Sequence, residues 1–123
     1  MIVRVAEQAK QSLAQSVVVA TDSMEIQTVC DAHRIECVLT SDAHPTGTDR
    51  IAEVAKLLRL SEDALIVNVQ GDEPLIPPSL INEVANTLAM HPECAISTVA
   101  VAITEVSEIS NPNVVKVVLN RKN

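Results

Sequence analysis

The sequence predicts an α/β fold: a mostly parallel sheet with helices on both faces. Three observations carry that expectation. Short runs rich in Val, Ile and Leu alternate with stretches whose apolar residues recur at helical spacing. The run at 64–69 stops abruptly at Gln70, Gly71, Asp72, Glu73 and Pro74, as a buried parallel strand does when it delivers polar groups to a sheet edge. The chain uses glycine only twice, at Gly47 and Gly71, each in a polar loop after a predicted strand.

Taken in order, residues 1–14 place Ile2, Val5, Ala6, Ala9 and Leu13 on one helical face. Residues 16–20 (S-V-V-V-A) read as a short buried strand. Asp22 or Ser23 can cap a helix that runs through His33, with Ile26, Val29 and Cys30 inward. Residues 36–39 form a second strand, and 40–46 a polar loop. A helix then runs to about Leu58, capped by Thr48, with Ile51, Val54, Ala55 and Leu58 inward. Residues 59–63 are a linker and 64–69 a third strand. Pro77-Pro78-Ser79 opens a helix to about Met90, since proline is tolerated in a first turn. Residues 94–103 and 114–119 complete the strands, separated by a short irregular or helical piece at 104–110 and a turn at Asn111-Pro112-Asn113.

Composition narrows the function. The 123 residues have room for one domain. Phe, Tyr and Trp are absent, so the core is aliphatic and no aromatic platform exists for single-stranded nucleic acid. Nine basic residues face sixteen acidic ones, a formal net charge of −7, and no Lys/Arg cluster stands out. That disfavours nucleic acid and anionic membrane surfaces as partners. No long apolar run or basic-then-apolar leader is present, which makes the cytoplasm the expected location and membrane insertion unexpected. Cys30, Cys37 and Cys94 are odd in number and lack C-x-x-C spacing, so buried reduced thiols are expected. His33, His44 and His91 lack the spacing of a helical metal site.

The two glycine loops are where chemistry is expected. The first, H-P-T-G-T-D-R at 44–50, sets amides at a helix start, which suits an anion or the edge of a nucleotide. Thr46 and Thr48 donate or accept hydrogen bonds there, and Asp49 sits favourably in the first turn. The plainer account, a capped helix and nothing more, is compatible with it. In the second loop Asp72 is the candidate metal ligand, of the hard oxygen type that Mg²⁺ takes alongside substrate phosphates. Glu73 is either a second ligand or a residue that holds the loop. The plainer account here is a strand-to-helix connection with solvated acids. Each glycine either adopts a backbone shape that other residues avoid or lets a ligand come close. No Walker loop, G-x-G-x-x-G or Ser-His-Asp arrangement is present. A nucleotide or sugar site with carboxylate-bound Mg²⁺ remains.

A-T-D at 20–22, H-P-T-G-T-D-R at 44–50, V-N-V-Q-G-D-E-P-L-I at 67–76 and N-P-N-V-V-K-V-V at 111–118 occur in that order. Together they closely resemble the 3-deoxy-manno-octulosonate (Kdo) cytidylyltransferase family, the CMP-Kdo synthetases of lipopolysaccharide synthesis. The resemblance covers essentially the whole chain. It implies a glycosyltransferase-A-like (Rossmann-like) nucleotidyltransferase core and transfer of a cytidylyl group from CTP to Kdo, giving CMP-Kdo and pyrophosphate. By that resemblance Asp72 is catalytic and binds Mg²⁺, and Gln70 contacts the sugar acid. Thr46, Gly47 and Thr48 line the cytosine pocket, and Arg50 buttresses their loop. Asp22 and Lys116 match family positions without an assigned role. A related sugar nucleotidyltransferase, such as a CMP-sialate synthetase, and a non-catalytic nucleotide-binding remnant are the alternatives.

The family's basic loop, of the type R-x-x-S-x-R-L-P-G-K-P, has no counterpart in the sequence, and the family extends well past residue 123. Residues 1–123 are therefore expected to be the central part of a single nucleotidyltransferase domain. An incomplete core of this kind is expected to be inactive alone and to form a homodimer at full length.

Overall fold

The computed structural model describes residues 1–120. Its elements are α1 (Ile2–Ala9), β1 (Val19–Thr21), α2 (Met24–Ala32), β2 (Cys37–Leu39), α3 (Gly47–Leu57), α4 (Pro78–Met90) and α5 (Val106–Ser110). β1 and β2 pair in parallel, with Val19 opposite Cys37, Ala20 opposite Val38 and Thr21 opposite Leu39. α2 is the crossover that a parallel pair requires. The architecture is thus α/β with a parallel sheet.

Ala6, Val19, Cys30 and Ile35 form the buried cluster, with Ile2, Val3, Ile26 and Cys37 packed against it. Cys30 is fully enclosed. Cys37 is partly buried, and that burial, with Cys30 beside it, pushes its thiol up to about 11. All three cysteines are free, as expected, but Cys94 is exposed rather than buried.

Each helix boundary has a local cause. Ser23 caps α2, its side chain accepting from the Ile26 amide at 3.4 Å. α2 ends with Arg34 at φ 56°. The Arg34 amide donates to the Asp31 carbonyl at 3.1 Å and the Ile35 amide to the Cys30 carbonyl at 2.9 Å. That is a Schellman end with arginine where glycine is usual, closed by contact of Ile35 with the Cys30 cluster. α3 ends in the same way, with Arg59 at φ 52° and the Leu60 amide on the Ala55 carbonyl at 3.0 Å.

Several expectations need correction. α1 stops at Ala9, not near residue 14, because Ser12 Oγ donates to the Ala9 carbonyl at 2.6 Å and turns the chain. Leu13 is accordingly exposed, and its amide donates to Asn82 Oδ1 of α4 at 2.8 Å. The cap of α3 is Thr46, not Thr48. The expected strands at 64–69, 94–103 and 114–119 join no ladder; among the described residues the sheet has two strands. Their side chains explain this. Leu65, Ile66, Ile96, Val99, Val101, Val115 and Val118 are exposed, so these runs have neither a paired backbone nor a covered face. No helix among the described residues is long and apolar enough to cross a membrane.

Candidate functional site

The polar cluster of the molecule lies at the carboxyl ends of β1 and β2, the edge where open parallel sheets bind ligands. Thr21 ends β1 and is buried, as is Thr40 just beyond β2. The Thr40 amide and hydroxyl both donate to the Thr21 carbonyl, at 2.8 and 3.2 Å, and extend the pairing by one residue. Arg50 reaches across from α3. Its Nη2 donates to Asp22 Oδ2 at 2.6 Å, and its Nη1 to Thr40 Oγ1 at 2.5 Å and the Ser41 carbonyl at 3.2 Å. One guanidinium therefore ties together the ends of both strands and the start of the loop. Asp22, to which the family resemblance assigns no role, is its anionic partner, and that hydrogen bond holds the Asp22 carboxyl below its ordinary value.

The loop from Ser41 to Thr46 then leads into α3. Thr46 Oγ1 accepts from the Asp49 amide at 3.2 Å and donates to Asp49 Oδ2 at 2.5 Å, a reciprocal capping arrangement. The Arg50 amide is taken by the Thr46 carbonyl at 3.2 Å. That leaves the Gly47 and Thr48 amides as the unpartnered donors of the first turn among the described residues. Neither Gly47 nor Gly71 has a positive φ, so the expectation of a special backbone shape is set aside. A Cβ at Gly47 would meet nothing within 4 Å, which leaves open space beside its amide.

The second loop approaches the start of α1. A Cβ on Gly71 would be 3.6 Å from Ile2 Cδ1, an ordinary contact. The Gln70 carbonyl accepts from the Glu73 amide and the Glu73 carbonyl from the Ile76 amide, both at 3.2 Å, so the loop is two successive turns. Gln70, Asp72 and Glu73 are all exposed. The described ion pairs are His44–Glu53, Arg50–Asp22 and His91–Glu93, so Asp72 is unpaired among the described residues. The structure thus brings Arg50, Asp22 and the Thr46–Thr48 turn together, while among the described residues no hydrogen bond or ion pair joins Gln70 or Asp72 to that group. Lys116 Nζ donates to the Asn111 carbonyl and closes the turn that the Asn113 amide makes with Asn111 Oδ1 at 2.9 Å.

Sequence reasoning passed over Glu53. Its Oε2 accepts from the Ser41 amide at 3.0 Å and meets His44 Nε2 at 2.5 Å. Those two bonds, His44 first, hold the Glu53 carboxyl below its ordinary value. The available signal was its place three residues after Arg50, on the same helical face.

The cytidylyltransferase family matches residues 1–123. Among curated proteins, the chain is 77% identical over 122 residues to the 3-deoxy-manno-octulosonate cytidylyltransferase of Polynucleobacter asymbioticus, covering 99% of this chain and 48% of that protein. It is 76% identical over 121 residues to the protein of the same name from Polynucleobacter necessarius, covering 98% and 48%. The chain therefore spans about half the length of the curated relatives it matches. A solved structure of CMP:2-keto-3-deoxy-manno-octonic acid synthetase complexed with CTP superposes with a TM-score of 0.67 at 32% identity, over 74% of this chain and 37% of that one.

Proposed function

The chain belongs to the cytidylyltransferase family, and from that premise we propose that it supplies nucleotide- and sugar-facing groups to an enzyme that makes CMP-Kdo. In the reaction the anomeric hydroxyl of Kdo attacks the α-phosphorus of CTP. A new P–O bond forms, the bond to the bridging oxygen of the β-phosphate breaks, pyrophosphate leaves, and the hydroxyl proton is released. The observation that carries this reading is the Thr46–Thr48 turn, with its free amides and open space at Gly47, anchored by Arg50 to the carboxyl edge of the sheet. It stands in a chain 77% identical to a relative named for this reaction.

Thr46, Gly47 and Thr48 hold the cytosine edge, with the two unpartnered amides as donors. Arg50 is spent on Asp22, Thr40 and Ser41, so its role is to fix the loop rather than to grip phosphate. Gln70 contacts the sugar acid. No cluster of three His, Cys, Asp or Glu able to hold a metal exists among the described residues. Mg²⁺ does not need one, because it keeps waters and takes one or two carboxylates together with substrate phosphates. The exposed, unpaired Asp72 fits that demand, with Glu73 beside it. When bound there, Mg²⁺ neutralises charge on the triphosphate. Work in the cytoplasm, service to lipopolysaccharide synthesis, and a homodimer at the relatives' length rest on the family resemblance.

The test is a chimera in which this chain replaces the matching half of the P. asymbioticus relative, assayed for pyrophosphate release from CTP and Kdo. Asp72→Asn keeps the shape and removes the charge; turnover should fall at least about 10²-fold, the scale of one well-placed electrostatic group. Asp63→Asn, a charge lost from an exposed turn, should change little. Near-normal turnover of Asp72→Asn at saturating Mg²⁺ would remove Asp72 from the site. Turnover with another sugar acid but not Kdo would overturn the substrate.

A further inference from the structure

The Ser41 peptide is gripped from two sides. Its carbonyl accepts from Arg50 Nη1 at 3.2 Å, and its amide donates to Glu53 Oε2 at 3.0 Å. Arg50 and Glu53 are oppositely charged and three residues apart on α3, so they face the loop from one stripe of the helix. The same Glu53 oxygen meets His44 Nε2 at 2.5 Å, three residues further along the loop. Between these points the loop has little else to shape it. Ser41, Asp42 and Ala43 are exposed, and so are Pro45 and Thr46. The one internal bond there is the Ala43 amide to Ser41 Oγ at 3.1 Å. With no buried apolar side chain of its own, the loop takes its conformation from polar clamps.

We propose that Glu53 is a positioning residue: by holding Ser41 and His44 to α3 it fixes the loop so that Thr46, Gly47 and Thr48 meet the nucleotide in one arrangement. The inference rests on the nucleotide reading above and gives a role to a residue outside the H-P-T-G-T-D-R motif. Glu53 does not touch CTP. It acts through the fraction of molecules whose loop is already in the binding shape, and apparent affinity falls in proportion to that fraction.

Glu53→Ala removes both bonds, whereas Glu53→Gln keeps an oxygen that can accept from Ser41 and from a protonated His44 Nε2. The chimera with the P. asymbioticus relative, unaltered and carrying each variant, is followed by amide hydrogen exchange at Ser41, by thermal melting and by calorimetric titration with CTP. Glu53→Ala should exchange Ser41 at least about tenfold faster and bind CTP about tenfold more weakly, as expected if the competent loop falls to about a tenth of the population. Glu53→Gln should restore both to within about threefold, a rescue that general destabilisation would not give. Where Glu53→Ala does not fold, Glu53→Leu replaces it, having similar bulk and no acceptor. Unchanged Ser41 exchange in the truncated variant overturns the clamp. Faster exchange with unchanged CTP affinity overturns the positioning role. Failure of the unaltered chimera to bind CTP overturns the nucleotide reading and the positioning role with it, while Ser41 exchange still decides the clamp.

Discussion

Gly47→Ala should raise stability and lower CTP affinity, two effects of opposite sign from one methyl group. The stability half follows from the backbone. Gly47 has no positive φ, it is the first residue of α3, and a Cβ built on it meets nothing within 4 Å. Alanine therefore enters without strain or clash, and the unfolded chain loses freedom it would otherwise have. Such replacements stabilise by about 0.4–1 kcal/mol. For a domain of this size that is a rise of about 1–5 °C in Tm. The binding half follows from the open space. If that space is where the cytosine edge approaches the Gly47 amide, a methyl group occupies the approach. A loss of about tenfold in CTP affinity, or about 1.4 kcal/mol, is then expected. Melting is measured on the chain itself, and CTP affinity by calorimetry on the chimera with the Polynucleobacter relative. A raised Tm with unchanged affinity would show that Gly47 is only a helix-start residue. A lowered Tm would refute the backbone argument.

Two further substitutions test the local physics. Arg59→Gly relieves a left-handed residue at the end of α3; it should stabilise the chain by about 1 kcal/mol, read by urea titration, and a loss of stability would show that Arg59 contributes more than its backbone shape. Asp22 is held below its ordinary value of 3.8 mainly by the Arg50 hydrogen bond, so its contribution is present above that pH and is lost as pH falls through the lower folded value. Asp22→Asn should therefore narrow the stability difference between pH 7 and pH 3 in thermal melts, and an unchanged acid profile would exclude the pair as a source of it.

What could be read from the sequence divides along the range of the interactions. Local signals served well. Ser23 caps α2, and the Pro77-Pro78 pair opens α4. The alternation of apolar runs gives a parallel pair with α2 as its crossover. Thr-Gly-Thr-Asp offers two threonines, but only Thr46 stands three residues before an acid, which is the register of a capping box. The Schellman ends at Arg34 and Arg59 were not legible, because the left-handed position is usually marked by glycine and here is filled by arginine.

Non-local pairing is not written in a single run of residues, and the reason bears on the site. A run such as L-I-V-N-V at 65–69 states that its side chains favour burial, but not which surface will cover them. β1 and β2 find each other through a nine-residue helix, and α2 packs on the pair they make. The runs at 64–69, 94–103 and 114–119 have no such partner among the described residues, and Leu65, Ile96 and Val115 stay in solvent. A strand without a neighbour forgoes its ladder and its covered face together. The same distinction separates the two glycine loops. The first follows β2, which is paired, so Arg50 can reach Asp22, Thr40 and Ser41 and the turn at Thr46–Thr48 is held. The second follows a run that is unpaired, and Gln70, Asp72 and Glu73 are held by turn hydrogen bonds alone. A metal or substrate at Asp72 would meet a loop that its strand does not yet anchor. The anchoring of the Thr46–Thr48 loop, by contrast, is already built from residues of this chain.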